Sequence, residues 1–264
     1  MENAEWGVAT ANEVLTAMQN IVVIPTYNER GNIRPLIEEL LALPLPLGVI
    51  VVDDNSPDGT GELVAQLAAE DERVHLISRP AKLGLGTAHL TGFRRALAMG
   101  ARHILSMDAD FSHNPRFIPE MVASSTTADV VIGSRYVAGG GAANSPFRRR
   151  LLSRGANLFA RTMLRLPAHD CTAGFRCYQR RVLEHIDLDR IRSDGYSFLI
   201  EMLFLCHQAG FTVTEVPITF VDREHGISKI SKAEIGKALL TVVRLAVVRL
   251  QESRLLGQHM PTMR

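Results

Sequence analysis

Short apolar runs alternate with longer amphipathic stretches over the first half of the chain. The runs are rich in β-branched and aliphatic residues, which favours buried strands, and the stretches between them repeat their apolar positions with helical spacing. Such alternation predicts an α/β fold in which helices cover a parallel sheet, with ligands bound beyond the carboxyl ends of the strands. The predicted strands are 21–24, 49–52, 74–77, 103–107 and 130–132, and the predicted helices are 33–43, 61–70, 88–99 and 115–124.

The second half begins with a connector, 139–146, whose sequence GGGAANSP is typical of segments that resist both helix and strand. Beyond it the pattern predicts further helices and strands, then a loop that reaches residue 231 and a terminal helix. We predict a loose tail at 1–19, one catalytic domain at 20–231, and an amphipathic helix with its tail at 232–264. The further predicted elements are helices 149–164, 181–186 and 197–209 and strands 175–178 and 212–216.

Composition narrows the function classes. The formal net charge of +1 gives no global field that would attract nucleic acid, so any electrostatic function must be local. Three cysteines without a CxxC pair favour buried thiols in a reducing compartment over a metal site. The N-terminus has no apolar run of a signal peptide, and the most apolar stretch, 235–250, carries three basic residues and is too short to span a bilayer. We therefore expect a cytoplasmic protein.

Polar residues follow the first two predicted strands. Tyr27 offers a flat face to a base, and Asp53 and Asp54 offer acceptors to base N–H groups or ribose hydroxyls. These positions favour a nucleotide site. The alternative is that Asp53, Asp54 and Ser56 form a turn and cap the helix that begins near Thr60.

Two carboxylates follow the fourth strand. Asp108 and Asp110 are two residues apart and can face the same side. Hard divalent cations such as Mg²⁺ and Mn²⁺ prefer oxygen ligands and leave positions open for a diphosphate. The Asp108–Asp110 pair therefore predicts a metal site.

Glycines at 84 and 86 superficially match a dinucleotide-binding loop. That motif should follow the first strand and carry a third glycine, whereas these glycines follow the third strand and Leu90 occupies the third position. We interpret the segment instead as a loop that passes close to the bound nucleotide.

Basic residues mark two further segments. Arg223 and Lys229 lie six apart across a glycine-containing loop, which suits a clamp for a departing diphosphate; a solvated loop is the alternative. On the predicted helix 149–164, a stripe of arginines lies beside apolar positions, which favours an anionic lipid or a membrane face. The arginines of this stripe are Arg150, Arg154, Arg161 and Arg165.

The terminal helix places Lys237, Thr241, Arg244 and Gln251 along one polar stripe, and most of its remaining circumference is apolar. Such a wide apolar face is typical of a helix that covers the core. It is equally typical of a helix that lies in a lipid headgroup region. The sequence leaves both interpretations open.

The chain resembles the polyprenol-phosphate (dolichol-phosphate) mannosyltransferases, which are inverting GT-A glycosyltransferases of family 2. The resemblance runs from about residue 20 to residue 240 and implies a Rossmann-like GT-A sheet that is mostly parallel. The stretches that carry it are PTYNERGNI, VVDDNSPDGT, KLGLGTAHLTG, MDADFSHNPRFIPEM, GSRYVAGGG, RRRLLSRGANLFAR, GFRCY and EVPITFVDREHGISK.

The resemblance implies a role for each matching position. Asp110, Arg223 and Lys229 would be catalytic, and Asp108, Asp110 and Ser112 would hold the metal. Arg135, Arg149 and Ser153 would bind the acceptor phosphate. The donor nucleotide sugar would contact Pro25, Tyr27, Glu29, Val52, Asp54, Asp108, Ala109, Asp110, Arg135, Arg223 and Lys229. Ala173 and Leu199 depart from the family pattern, and both departures concern the acceptor side.

The implied reaction is inverting transfer of mannose from GDP-mannose to a polyprenyl monophosphate, with Mg²⁺ or Mn²⁺ as the cofactor. The implied partners are the lipid, the cytoplasmic face of a membrane and a membrane-anchored protein, without nucleic acid. A UDP-glucose-dependent polyprenyl-phosphate glucosyltransferase is the nearest alternative. A nucleotidyltransferase and a non-catalytic binding module are the others.

Overall fold

The structure is a computed structural model that describes residues 19–143, 146–221 and 232–258, without the side chains of residues 196, 232–235 and 252–258. The strands are β1 (Asn20–Thr26), β2 (Gly48–Asp53), β3 (Val74–Ser78), β4 (His103–Ser106), β5 (Val130–Ser134), β6 (Gly141–Ala143), β7 (Arg176–Gln179), β8 (Val213–Pro217) and β9 (Thr219–Val221). The helices are α1 (Arg30–Leu41), α2 (Thr60–Glu70), α3 (Leu85–Ala98), α4 (Ile118–Ser124), α5 (Phe147–Leu164), α6 (Arg180–His185), α7 (Tyr196–Gln208) and α8 (Lys232–Gln258).

The central sheet has seven strands in the order β3-β2-β1-β4-β7-β5-β8. All neighbouring strands pair in parallel except β7, which is antiparallel to both β4 and β5. The predicted mostly parallel α/β sheet is therefore confirmed. In the pairing of β1 with β2, Thr26 is aligned with Asp53, so the loops after the two strands leave the sheet at the same edge.

Both faces of the sheet are covered. Successive residues of β1 belong to opposite cores: Ile21 and Val23 pack on one side, and Val22 and Ile24 pack on the other. This alternation follows from the two-residue period of a strand. Helix α3 lies unusually close to β1, because a Cβ atom at Gly92 would be 2.2 Å from Val23 Cγ1.

Two segments differ from the prediction. Part of the glycine-rich connector forms β6, and part of the predicted loop before residue 231 forms β9; the two pair in parallel. The reason is geometric. β5 and β8 are parallel neighbours, so the chain leaves them side by side, and its backbone groups find partners there, as when Gly141 N donates to Ile218 O at 2.9 Å.

The helices of the second half are confirmed, and α8 packs against α7 and α5. Val242, Leu245 and Ala246 of α8 are buried in the core. No helix of the described residues is long and apolar enough to cross a membrane. The predicted tail at 1–19 lies outside the described residues except for residue 19.

The three cysteines are buried and free of disulfides, as predicted. Burial raises the pKa of Cys171, Cys177 and Cys206 to about 12 in each case. The thiols therefore stay protonated at neutral pH and behave as small apolar side chains.

The close approach of α3 to β1 predicts that Gly92→Ala destabilises the protein by about 1–3 kcal/mol, since the added methyl group would overlap Val23. Gly31→Ala in α1 is the matched control, because a Cβ there has nothing within 4 Å. Its free energy of unfolding should stay within about 1 kcal/mol of wild type. Urea denaturation measures both, and equal effects at the two glycines would contradict the packing argument.

Candidate active site

Asp53 joins the ends of β1 and β2. Its buried carboxylate accepts hydrogen bonds from Thr26 Oγ1 at 2.8 Å, from Ser56 N at 2.9 Å and from Ser56 Oγ at 2.6 Å. These contacts match the turn-forming alternative, so Asp53 shapes the loop that follows β2.

Asp54 has a different environment. Its buried carboxylate forms an ion pair with the buried Arg79, and it also accepts from Leu83 N at 3.1 Å. Arg79 donates in addition to Gly84 O at 3.0 Å and to Thr87 Oγ1 at 2.7 Å. The predicted donor contact Asp54 therefore also holds segment 82–87, which comprises the end of the loop after β3 and the first residues of α3 and which we call the donor loop. Arg79 was not predicted from the sequence, where its position just after β3 is the only indication of a role.

The other predicted nucleotide contacts surround this edge. Lys82 Nζ lies 4.0 Å from the centroid of the Tyr27 ring, so a base that stacks on Tyr27 must use the opposite face or displace Lys82. Glu29 is buried, with Asn32 Nδ2 donating to it at 3.0 Å. Val52 is fully buried, so only its backbone can reach a nucleotide, and Pro25 is its register partner on β1.

The turn after β4, residues 108–113, which we call the acidic turn, is held by hydrogen bonds among its own polar groups. Ser112 donates to Asp110 Oδ1 from its backbone N at 3.1 Å and from its hydroxyl at 2.6 Å. Asp108 N donates to His113 Nδ1 at 3.0 Å. Phe111, between them, has a φ of 59°, which bends the chain back sharply.

His113 was missed from the sequence. Its ring is buried, stacked on Phe175 with centroids 5.2 Å apart and edge-on to Phe220 at 5.6 Å. Burial lowers the pKa of His113, although Asp108 and Asp110 act in the opposite direction. The ring is therefore neutral at pH 7, and since Nδ1 accepts from Asp108 N, the proton is on Nε2.

The acidic turn suits a cation that takes some of its ligands from the protein and the others from a substrate. Within the described ranges, no group of three or more His, Cys, Asp or Glu side chains is placed to hold a metal. Two carboxylates, Asp108 and Asp110, suit a hard ion whose other positions are filled by diphosphate oxygens and water. The predicted ligand Ser112 is almost fully buried, and its hydroxyl orients Asp110.

Near Arg135, which the sequence assigns to the acceptor phosphate, Asp170 holds the arginine side chain in a forked geometry. Arg135 Nε and Nη2 each donate to one oxygen of Asp170 at 2.7 Å, and Arg135 N donates at 3.1 Å. Burial acts to raise the pKa of Asp170, but Arg135 outweighs it, and the pKa lies below its ordinary value. Asp170 is therefore ionised at neutral pH. Asp170 was missed from the sequence.

Helix α5 is tied to the same region. Tyr136 Oη donates to Ser153 Oγ at 2.7 Å, and Asn157 Nδ2 donates to Thr172 Oγ1 at 3.1 Å. Thr172 also accepts from Arg135 Nη2 at 3.0 Å. Asn157 Nδ2 also donates to Ser153 O at 2.9 Å, so the structure brings Ser153 and Arg135 into one network. Arg149 lies four residues before Ser153 on the exposed start of α5.

Two predicted catalytic residues, Arg223 and Lys229, lie outside the described residues. Their proposed contact with the leaving diphosphate stays a prediction.

A model of the glycosyl transferase family 2 matches residues 21–187, the segment that carries both the donor loop and the acidic turn. This chain belongs to that family. It is a glycosyltransferase, and the predicted GT-A fold is confirmed.

Two relatives cover almost the whole chain. The polyprenol monophosphomannose synthase of Mycolicibacterium smegmatis is 45% identical over 236 residues, which are 89% of each chain. The undecaprenyl-phosphate mannosyltransferase of Micrococcus luteus is 44% identical over 227 residues, which are 86% of this chain and 93% of that protein.

A solved structure shares the fold at much lower identity. The glucosyl-3-phosphoglycerate synthase from Mycobacterium tuberculosis, in complex with Mn²⁺, UDP and glucosyl-3-phosphoglycerate, matches with a TM-score of 0.63 and 20% identity. The match covers 93% of this chain and 86% of that one. At this identity the likeness establishes the fold alone.

The buried contact between His113 and the acidic turn gives a prediction. His113→Phe keeps a ring against Phe175 but leaves Asp108 N without its acceptor, so Mn²⁺-dependent activity should fall about 10–100-fold. His113→Asn, whose side-chain oxygen can accept from Asp108 N, should retain more activity. Transfer rates measured at increasing Mn²⁺ concentrations compare the two variants with wild type. Wild-type activity in the Phe variant would show that this hydrogen bond does not position the turn.

Proposed function

We propose that this glycosyltransferase moves mannose from GDP-mannose to a polyprenyl, dolichyl-type monophosphate with inversion, which gives a lipid-linked mannose donor. The observation that carries the proposal is the arrangement of two opposite charge environments around the carboxyl end of the sheet. The acidic turn Asp108–Asp110 suits a metal-bound diphosphate, and Arg135 with α5 suits an anionic acceptor. The names of the relatives that are 44–45% identical support the transfer of mannose to a polyprenyl phosphate.

On the donor side, Asp108, Asp110 and Ser112 would hold Mg²⁺ or Mn²⁺, which supplies positive charge to the diphosphate as the sugar–phosphate bond breaks. Tyr27, Glu29 and the backbone around Pro25, Val52 and Asp54 would bind the nucleotide. Arg223 and Lys229 would neutralise the departing GDP.

On the acceptor side, a phosphate monoester has a second pKa of about 6 and is largely a dianion at neutral pH. The nucleophile therefore needs orientation and charge neutralisation, without a general base. Arg135, Arg149 and Ser153 are the groups we assign to this task. Asp170 keeps the Arg135 fork rigid, so that less side-chain entropy is lost when the phosphate binds.

We further propose that the enzyme works on the cytoplasmic face of a membrane. Of the large apolar side chains that are exposed in the described part of the chain, all but Leu83 lie on α5 or α8. We call this set the apolar surface; its members are Phe147, Leu151, Leu152, Leu158, Phe159 and Met163 on α5 and Leu239, Leu240, Val243, Val247, Val248 and Leu250 on α8.

Helix α8 has one face buried in the core and another apolar face exposed, so the core and the membrane interpretations of its sequence are compatible. Val242 and Leu245 are buried in the core, whereas Leu240 on another face is 72% exposed. On α5, Arg150 and Arg154 are exposed beside the apolar positions. Exposed apolar surface bordered by cations suits a bilayer with anionic headgroups, and a polyprenyl tail cannot leave a bilayer cheaply.

Transfer activity tests the substrates. We expect incubation with short-chain polyprenyl phosphate and a divalent cation to move label from GDP-mannose into the organic phase, with far less label from UDP-glucose. Asp110→Ala should remove nearly all transfer while the protein stays folded, because the cation loses a ligand. Label transferred from UDP-glucose alone would replace the donor assignment, and full activity in EDTA would exclude the metal role.

Flotation on vesicles tests the membrane proposal. Wild-type protein should float with anionic vesicles, and Leu250→Glu, which places a charge in the apolar surface and leaves the buried face of α8 intact, should float less. Leu240→Glu gives a matched point variant on the exposed face of α8. If wild type and both variants float equally poorly, with or without polyprenyl phosphate, the apolar surface does not bind membranes.

A further inference from the structure

Glu201 joins α8 to the chain segment before α7. Its carboxylate is buried and accepts from Arg244 Nη2 on α8 at 2.7 Å, from Ser193 N at 2.7 Å and from Arg192 N at 3.2 Å. The side chain of Arg244 is 41% exposed and that of Glu201 is 7% exposed. A partly exposed cation thus compensates a buried anion, which without a partner would be costly to bury.

Helix α8 contacts the same segment a second time through Ser193. The hydroxyl of Ser193 lies 3.0 Å from Arg244 Nη2 and 3.3 Å from Thr241 Oγ1. Both the backbone and the side chain of Ser193 are therefore fixed by Glu201 and by α8.

The next residue touches the donor loop. Asp194 Oδ1 accepts from Gly86 N at 3.3 Å. A Cβ atom at Gly84 would be 2.6 Å from Asp194 Oδ1, and one at Gly86 would be 3.1 Å from Ser193 O. The segment 193–194 therefore packs directly against the backbone of the donor loop at Gly84 and Gly86.

On its opposite side the donor loop contacts Asp54 and Arg79. Asp54 accepts from Leu83 N at 3.1 Å, and Arg79 donates to Gly84 O at 3.0 Å. The loop is thus held between the end of β2 on one side and the segment 193–194 on the other. An unbroken series of contacts runs from Arg244 to Asp54.

We propose that Arg244 and Glu201 are positioning residues for the donor loop, so that nucleotide affinity depends on α8 even in the absence of a membrane. The inference rests on the proposed function in taking the donor loop as a border of the nucleotide site. When Arg244 is removed, Glu201 loses the only ion-pair partner it has among the described residues. Segment 192–194 is then held less firmly, and the donor loop loses its support on that side.

The test compares Arg244→Met with wild type in the absence of lipid. Amide hydrogen exchange should become faster at residues 83–86, and the Kd for GDP with Mn²⁺ should rise about two- to thirtyfold. Arg244→Lys, which keeps a cation, should restore part of both. The matched control is Arg181→Met, because Arg181 is also an exposed arginine paired with a buried carboxylate, Asp129, whose exposed fraction is 6%. It should change neither measurement.

A second variant covers the case in which Arg244→Met does not fold. Glu201→Gln keeps an oxygen for Ser193 N but loses the charge, and it should shift loop exchange and GDP affinity in the same direction. In the combined variant the two effects should not add, since both act through one ion pair.

Wild-type exchange at residues 83–86 in Arg244→Met, or in Glu201→Gln where the first variant is unfolded, overturns the inference. Equal loss in Arg181→Met overturns it as well, because the effect would then be general destabilisation. An error in the proposed function would give a different experimental result. Wild-type protein would then bind neither GDP nor UDP, while loop exchange would still decide whether α8 positions the loop.

Discussion

The parallel pairing of β1 with β2 and β4 is the constraint on which the candidate site depends. Because Thr26 is aligned with Asp53, and Val23 with Ser106, the loops after three strands leave the sheet at one edge. The acidic and aromatic groups at that edge are separated by many residues in the sequence. Strand register alone brings them together, and the helices that cover the sheet fix that register by burying alternate faces.

The site is held by buried charges that have partners. Asp54 is paired with Arg79, Asp170 with Arg135 and Glu201 with Arg244. The first two pairs join loops that are separate in the sequence, and the third joins helices α7 and α8. Burial makes an unpaired charge costly, so each pair restricts its segments to conformations in which the contact is kept. These three contacts help to position the donor loop, the Arg135 side chain and helix α8, which is also held by its residues in the core.

Much of this fold could be predicted because it depends on local patterns. The strands and helices of the first half follow from the spacing of apolar residues, and the motifs PTYNE, VVDDN and DAD lie at strand ends as expected. The short strands β6 and β9 could not be predicted, since each is stable only beside the other. Their pairing depends on the parallel alignment of β5 and β8, which a local pattern does not contain.

The partners in the site were missed for the same reason. Nothing near Asp54 in the sequence indicates Arg79, and nothing near Arg135 indicates Asp170, because 25 and 35 residues separate them. His113 has an apolar environment that only the folded chain creates, where Phe175 and Phe220 enclose it. Residue types at strand ends could be assigned to a chemistry, but their partners could not.

We propose that the acidic turn after β4 holds a cation on the donor diphosphate while Tyr27, at the end of β1, holds the base. A crystal structure with GDP and Mn²⁺ tests it most directly, since anomalous scattering locates manganese. We expect one manganese peak within bonding distance of the carboxylates of Asp108 and Asp110 and of the diphosphate, with guanine against Tyr27. A manganese peak away from both carboxylates, or a nucleotide bound elsewhere on the sheet, would contradict it.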